Sequence, residues 1–151
     1  MVHTVKLDSE LPAPLEACVE VDVPFQDADP MGVTWHGNYF RYLEAARAML
    51  LARIGYGYRD MVASGYLWPI VEAEIKYVKP TVFGQPLAVT ASLVEYETRL
   101  RIVYTIVDRA SGECVTKAQT TQAAVRKDSG EMCFCSPRAL LDKVRACVGS
   151  G

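Results

Sequence analysis

The amino-acid sequence predicts an α+β fold in which a five-stranded antiparallel sheet packs on one long helix. Three observations carry this. Apolar and polar residues alternate strictly from Glu16 to Phe25, an apolar stripe recurs at helical spacing from Tyr39 to Ile54, and four more strand-like runs follow between Trp68 and Arg126.

In the first run Ala17, Val19, Val21, Val23 and Phe25 share one face and Glu16, Cys18, Glu20 and Asp22 the other, the pattern of a half-buried strand. Along the helical stretch Tyr39, Leu43, Ala46, Leu50 and Ile54 line one side with Tyr42 and Met49 beside them, and Gly55 supplies a stop. Asn38 is placed to cap this helix through its side-chain oxygen. Arg41, Glu44, Arg47 and Arg53 take the other positions, Glu44 and Arg47 as an i,i+3 surface pair. A shorter helix is expected over Tyr58–Ala63, closed by Gly65. Strands are expected over Trp68–Lys79, with Val71, Ala73, Ile75 and Tyr77 on one face, and over Pro86–Glu97, Arg99–Asp108 and Glu113–Arg126. Pro80 and Phe83-Gly84-Gln85-Pro86 separate the first two, residues 108–112 read as a hairpin connection, and the four runs are expected to form an antiparallel meander. Ser136-Pro137 opens a short C-terminal helix as N-cap and first helical residue. One helix cannot cover both faces of such a sheet. Val103 and Val107 give its far face an apolar share, which points to oligomerisation.

A chain of 151 residues, 50% hydrophobic and 23% charged, is the size of one domain with its own core, expected to occupy residues 1–151 with the core at about 16–127. A net charge of -2 supplies no basic face for nucleic acid. Met1–Lys6 lacks the apolar centre of a secretory signal, and no run approaches the roughly 20 apolar residues of a membrane span. A cytoplasmic protein is therefore expected. The 5 cysteines are irregularly spaced and read as reduced thiols. Cys133-Phe-Cys135 alone falls short of a zinc site, and no metal or cofactor is expected.

Phosphate loops, serine elbows and His-Glu-x-x-His are absent, and with only 2 histidines in the chain, polar chemistry concentrates in one loop from Phe25 to Tyr39. That loop joins a buried strand to the start of the core helix. Free amides and the positive dipole end of a helix stabilise an oxyanion, and a nearby carboxylate can attack a carbonyl or activate water. Taken alone, Asp27 and Asp29 read as turn-forming residues, and Trp35, His36, Tyr39 and Trp68 as packing residues.

The segment from Phe25 to Arg47, with its Asp27-x-Asp29-x-x-Gly32 loop, Trp35-His36-Gly37-Asn38-Tyr39 and Glu44-x-x-Arg47, resembles hotdog-fold acyl-CoA thioesterases of the 4-hydroxybenzoyl-CoA thioesterase and YbgC-like type. Ile75-Lys-Tyr77-Val-Lys-Pro80 before Gly84-Gln-Pro86 looks like their second strand and turn, so the likeness covers about Val19 to Arg126. It implies a sheet wrapped around a central helix and hydrolysis of an acyl thioester. It also implies Asp29 as nucleophile or general base, Asp27 as a loop organiser, and a backbone N–H near His36 as the group polarising the carbonyl. Trp35, Gly37, Asn38, Tyr39, Arg47 and Trp68 would then meet substrate, and the site would lie across a dimer of hotdogs that assembles into a tetramer. Relatives that release chains from acyl-carrier proteins lean on a tyrosine and an arginine at positions resembling Tyr39 and Arg47, so the donor stays open between coenzyme A and a carrier protein. A hotdog hydratase or dehydratase and a non-catalytic acyl-binding protein remain the alternatives.

Overall fold

The computed structural model describes residues 15–149. The readings of Met1–Lys6 and of the lead-in through Pro14 fall outside them.

Strand β1, Glu16–Asp22, is followed by two short 3-10 turns at Phe25–Asp27 and His36–Asn38 and then by helix α1, Tyr39–Ile54. Helix α2 is Tyr58–Ala63, β2 Tyr66–Leu67, β3 Ile70–Tyr77, β4 Pro86–Glu95, β5 Leu100–Asp108, β6 Cys114–Gln122, β7 Val125–Arg126 and helix α3 Arg138–Gly149. Five strands form one antiparallel sheet in the order β1-β4-β5-β6-β3, while β2 and β7 pair as a small sheet of their own. Helix α1 lies against β1 and β4. Its Leu43, Ala46, Leu50 and Ile54 meet Leu87, Val89, Ala91, Ile102 and Ile106 in a core closed to water. Gly55 ends α1 at φ 86°, a left-handed conformation that suits glycine, and its N–H bonds to the Ala52 and Leu51 carbonyls.

Several expectations need correction. Only β4, β5 and β6 form a meander, because β3 pairs with β6 (Ile75 opposite Ala118) and residues 78–85 carry the chain across the sheet end to place β4 beside β1. That crossing is stitched down on both sides: the Gly84 N–H donates to the Val23 carbonyl at 2.8 Å and the Thr34 N–H to the Thr81 carbonyl at 2.7 Å. The expected run at Trp68–Lys79 shortens to β3, with Pro69, which has no N–H, just before it, while Glu113–Arg126 breaks into β6 and β7, and β7 pairs with β2, which lies ahead of the expected run. A bulge between Ile70 and Glu72 takes Val71 out of register. Phe25 leaves the β1 face because the first 3-10 turn swings it outward, 74% exposed.

Asn38 does not cap α1. The preceding 3-10 turn already holds it in helical backbone, and its side chain bonds elsewhere. Ser136 likewise makes no capping bond, and Pro137, expected as the first helical residue, stands immediately before α3, its carbonyl accepting the Leu140 and Leu141 amides. Arg47 is no surface partner of Glu44: it is 5% exposed, and only one of its nitrogens, Nη2, reaches Glu44 and the Tyr58 hydroxyl.

β3 stands apart from the other strands. Almost every residue in it is exposed, on both faces and along its outer edge.

Candidate active site

Between β1 and α1 the chain folds into a small hairpin in which Ala28 pairs with Thr34 and Val33 reaches the crossing segment at Val82. The Asp29 N–H donates to the Val33 carbonyl at 2.8 Å and the Gly32 N–H to the Asp29 carbonyl at 2.9 Å, closing a turn through Pro30 and Met31. Gly32 sits at φ 86°, which a residue with a side chain would adopt only with strain.

The two aspartates of this loop differ completely in their partners. Asp27 is 2% exposed; one carboxylate oxygen accepts the Arg41 guanidinium, and the other accepts the Tyr42 hydroxyl at 2.6 Å. Its carbonyl accepts the Trp35 N–H at 2.9 Å and the Asn38 amide at 3.0 Å, so Asp27 ties the loop to the first turns of α1. Burial and this bond to Asp27 push the Tyr42 phenol well above the ordinary tyrosine range. Asp29 is only half-buried. Its Oδ1 accepts the Met31 and Val33 amides at 2.8 and 3.3 Å, and among the described residues its Oδ2 has no hydrogen bond.

Asp29, His36, Tyr39, Tyr77 and Lys79 line a cavity of about 300 Å³ at the end of the sheet. Tyr39 is its floor: 2% exposed, its hydroxyl shares a proton with Thr81 at 2.9 Å, and Thr81 donates on to Thr34 at 2.6 Å. The Tyr77 ring lies 5.2 Å from Tyr39 and meets His36 edge-on at 6.0 Å. No hydrogen bond among the described residues uses the His36 or Gly37 amide, as expected for the first N–H groups of a helical stretch. A carboxylate with one oxygen pinned and one open, beside free amides at a helix start, suits attack on, or hydration of, a carbonyl carbon.

Of the residues singled out from the sequence, Asp29, His36 and Tyr39 come together in this cavity. Trp35, 52% exposed, folds over Gly37, where a side chain would run into the indole, and its ring centre is 5.1 Å from His36. Asn38 holds the loop through the Asp27 carbonyl. Arg47 and Trp68 lie elsewhere in the protomer: Arg47 two turns along α1, and Trp68 packed edge-on to Tyr56 with its indole N–H on the Tyr56 hydroxyl at 3.1 Å. Tyr77, Lys79 and Thr81 join the site from the crossing segment and the strand before it. Pro80 marked that break in the sequence, but the side of the sheet it would reach depended on the crossover.

Residues 23–143 match the thioesterase-like superfamily. The chain belongs to that family. It is 30% identical over 110 residues to a putative acyl-CoA thioesterase, YneP, of Bacillus subtilis, covering 73% of this chain and 80% of the relative. It is 35% identical over 100 residues to a 1,4-dihydroxy-2-naphthoyl-CoA hydrolase of Thermosynechococcus vestitus, covering 65% of this chain and 68% of that protein. The crystal structure of a 4-hydroxybenzoyl CoA thioesterase mutant complexed with 4-hydroxybenzoyl CoA superposes with a TM-score of 0.74 at 18% identity, over 86% of this chain and 99% of the other. The sheet wrapped on a central helix is thus the hotdog fold, and membership of the thioesterase-like superfamily makes the chain a thioester hydrolase by class. Among the described residues no helix is long and apolar enough to cross a membrane, and no group of three or more His, Cys, Asp or Glu is placed to hold a metal.

Proposed function

We propose that this thioesterase hydrolyses an acyl-CoA thioester to a free carboxylic acid and coenzyme A, with Asp29 as the reacting carboxylate. The observation that carries the reading is the asymmetry of Asp29: backbone amides fix Oδ1 while Oδ2 remains open in the cavity. As general base, Asp29 takes a proton from water while the water oxygen bonds to the thioester carbon. Collapse of the tetrahedral oxyanion breaks the C–S bond, and the departing thiolate takes up a proton. As nucleophile, the carboxylate bonds to the same carbon, expels the thiolate and leaves a mixed anhydride for water to cleave. In both routes the amides at the His36–Gly37 turn stabilise the oxyanion, and Trp35 and the aromatic walls at His36 and Tyr39 hold the acyl group. Lys79, which also pairs with Glu113, supplies positive charge at the mouth.

The names of the relatives favour coenzyme A as the donor, as does the placement of the residues associated with carrier-protein release. The Tyr39 hydroxyl is committed to Thr81, and Arg47 lies away from the cavity. The free strand edge speaks for a second copy of the chain. β3 is bare along its outer edge and exposed at almost every residue, and a partner laid along it would cover both. Solution mass separates dimer from tetramer.

Thiol release from short, long and aromatic acyl-CoAs, measured beside carrier-protein thioesters, tests the function. The expected result is release from at least one CoA thioester. Release from carrier-protein thioesters alone, hydration of an enoyl thioester with the thioester intact, or no release from any donor would each replace this reading.

A further inference from the structure

We propose that Tyr77 is a positioning residue for the reaction, its phenol holding the His36–Gly37 peptide at the helix start in the orientation that presents the Gly37 N–H to the thioester carbonyl. The proposal rests on the thioesterase reading above.

Tyr77 is the last residue of β3, opposite Thr116, and so comes to the loop from the strand at the opposite edge of the sheet from β1. Its hydroxyl donates to the His36 carbonyl at 3.2 Å, and the same carbonyl accepts the Tyr39 N–H. Both lone pairs of that oxygen are therefore used. The His36 C=O and the Gly37 N–H belong to one planar peptide, so a bond that fixes the carbonyl also fixes the direction of the N–H. Donation to the carbonyl further polarises the unit and makes the N–H a stronger donor. The ring carrying this phenol is itself held, 5.2 Å from Tyr39 at 31° and edge-on to His36, while Tyr39 is anchored through Thr81. Burial, with Tyr39 adding to it, pushes the Tyr77 phenol up, so it stays a protonated donor through the neutral range.

A simple packing role does not account for this hydroxyl. Tyr77 is 46% exposed, and water competes for a phenol in that setting, so its bond adds little to stability. What it adds is direction at a peptide that receives no other side-chain hydrogen bond among the described residues and is otherwise touched by the Trp35 ring.

Tyr77→Phe keeps the ring contacts and removes only the donor. Turnover is expected to fall about tenfold with KM for the acyl-CoA changed less than about twofold, the range seen when a group that orients a reacting group is lost. The melting temperature is expected to stay within about 2 °C. The backbone ¹⁵N resonance of Gly37 is expected to move while those of α3 stay in place. An unmoved Gly37 resonance, a raised KM at unchanged kcat, or a large drop in melting temperature would overturn the proposal. The resonance needs no substrate, so it separates this proposal from the reaction itself: if no acyl-CoA is hydrolysed, the thioesterase reading fails whatever Gly37 does, and if Asp29→Asn keeps full turnover, Asp29 is not the reacting carboxylate.

Discussion

Asp27 and Asp29 are two residues apart and chemically identical, and their surroundings give them opposite duties. Asp27 has every oxygen engaged, by Arg41, Tyr42, Trp35 and Asn38, and none left for a ligand. Asp27→Ala is expected to lower stability by about 1–3 kcal/mol, because the buried Tyr42 hydroxyl loses its acceptor. Urea unfolding checks this, and an unchanged midpoint would contradict it. The same pair sets an alkaline limit. Tyr42 titrates above its ordinary 10.0 in the folded protein, so the folded chain keeps a proton that the unfolded chain releases. The stabilisation is complete below about pH 10 and is lost as the pH rises beyond it. Tyr42→Phe is expected to lose stability less steeply than the wild type between about pH 10 and 11 in thermal melts; equal slopes would show that Tyr42 does not contribute. The roles of the two aspartates were not separable from sequence by residue type or spacing. Only the resemblance of the loop to known thioesterases assigned them, since hydrogen-bond partners arise from tertiary placement.

At the scale of elements, the sequence read well wherever one face of a segment meets the core. The stripe from Tyr39 to Ile54 and its stop at Gly55 gave α1 to the residue, and the alternation in β4 and β5 reappears as alternate burial of Leu87, Val89, Ala91, Ile102, Tyr104 and Ile106. It read poorly where pairing partners decide. The position of β3 next to β6 rather than β4 depends on the path of residues 78–85, which local pattern does not encode. Of its apolar residues Ile70, Val71, Ala73 and Tyr77 are exposed in the protomer and only Ile75 packs partly against the core, so alternation there does not mark the core of one chain. Ala73 is exposed and opposite Thr120. Ala73→Asp is expected to leave secondary structure and protomer folding intact by circular dichroism and to convert the oligomer proposed above to monomer in solution mass measurements. An oligomer of unchanged mass would remove β3 from the interface.

In the whole molecule the site is a meeting of three separate stretches: the loop after β1, the first turns of α1 and the crossing that follows β3. The first two are contiguous in sequence, so Asp29, His36 and Tyr39 were legible together. The third arrives only through the crossover, which is why Tyr77, Lys79 and Thr81 were not grouped with them. The fold explains the arrangement, since the crossing must pass the end of the sheet where α1 begins, and its bonds to Val23 and Thr34 hold the cavity between them. Everything proposed for the reaction then converges on the open oxygen of Asp29. The direct measurement is steady-state hydrolysis of the best acyl-CoA substrate by Asp29→Asn, with the fold checked by its circular dichroism and melting temperature. A folded variant whose kcat is lower by about 10²- to 10⁴-fold is the predicted result. A folded variant with wild-type kcat would contradict the account.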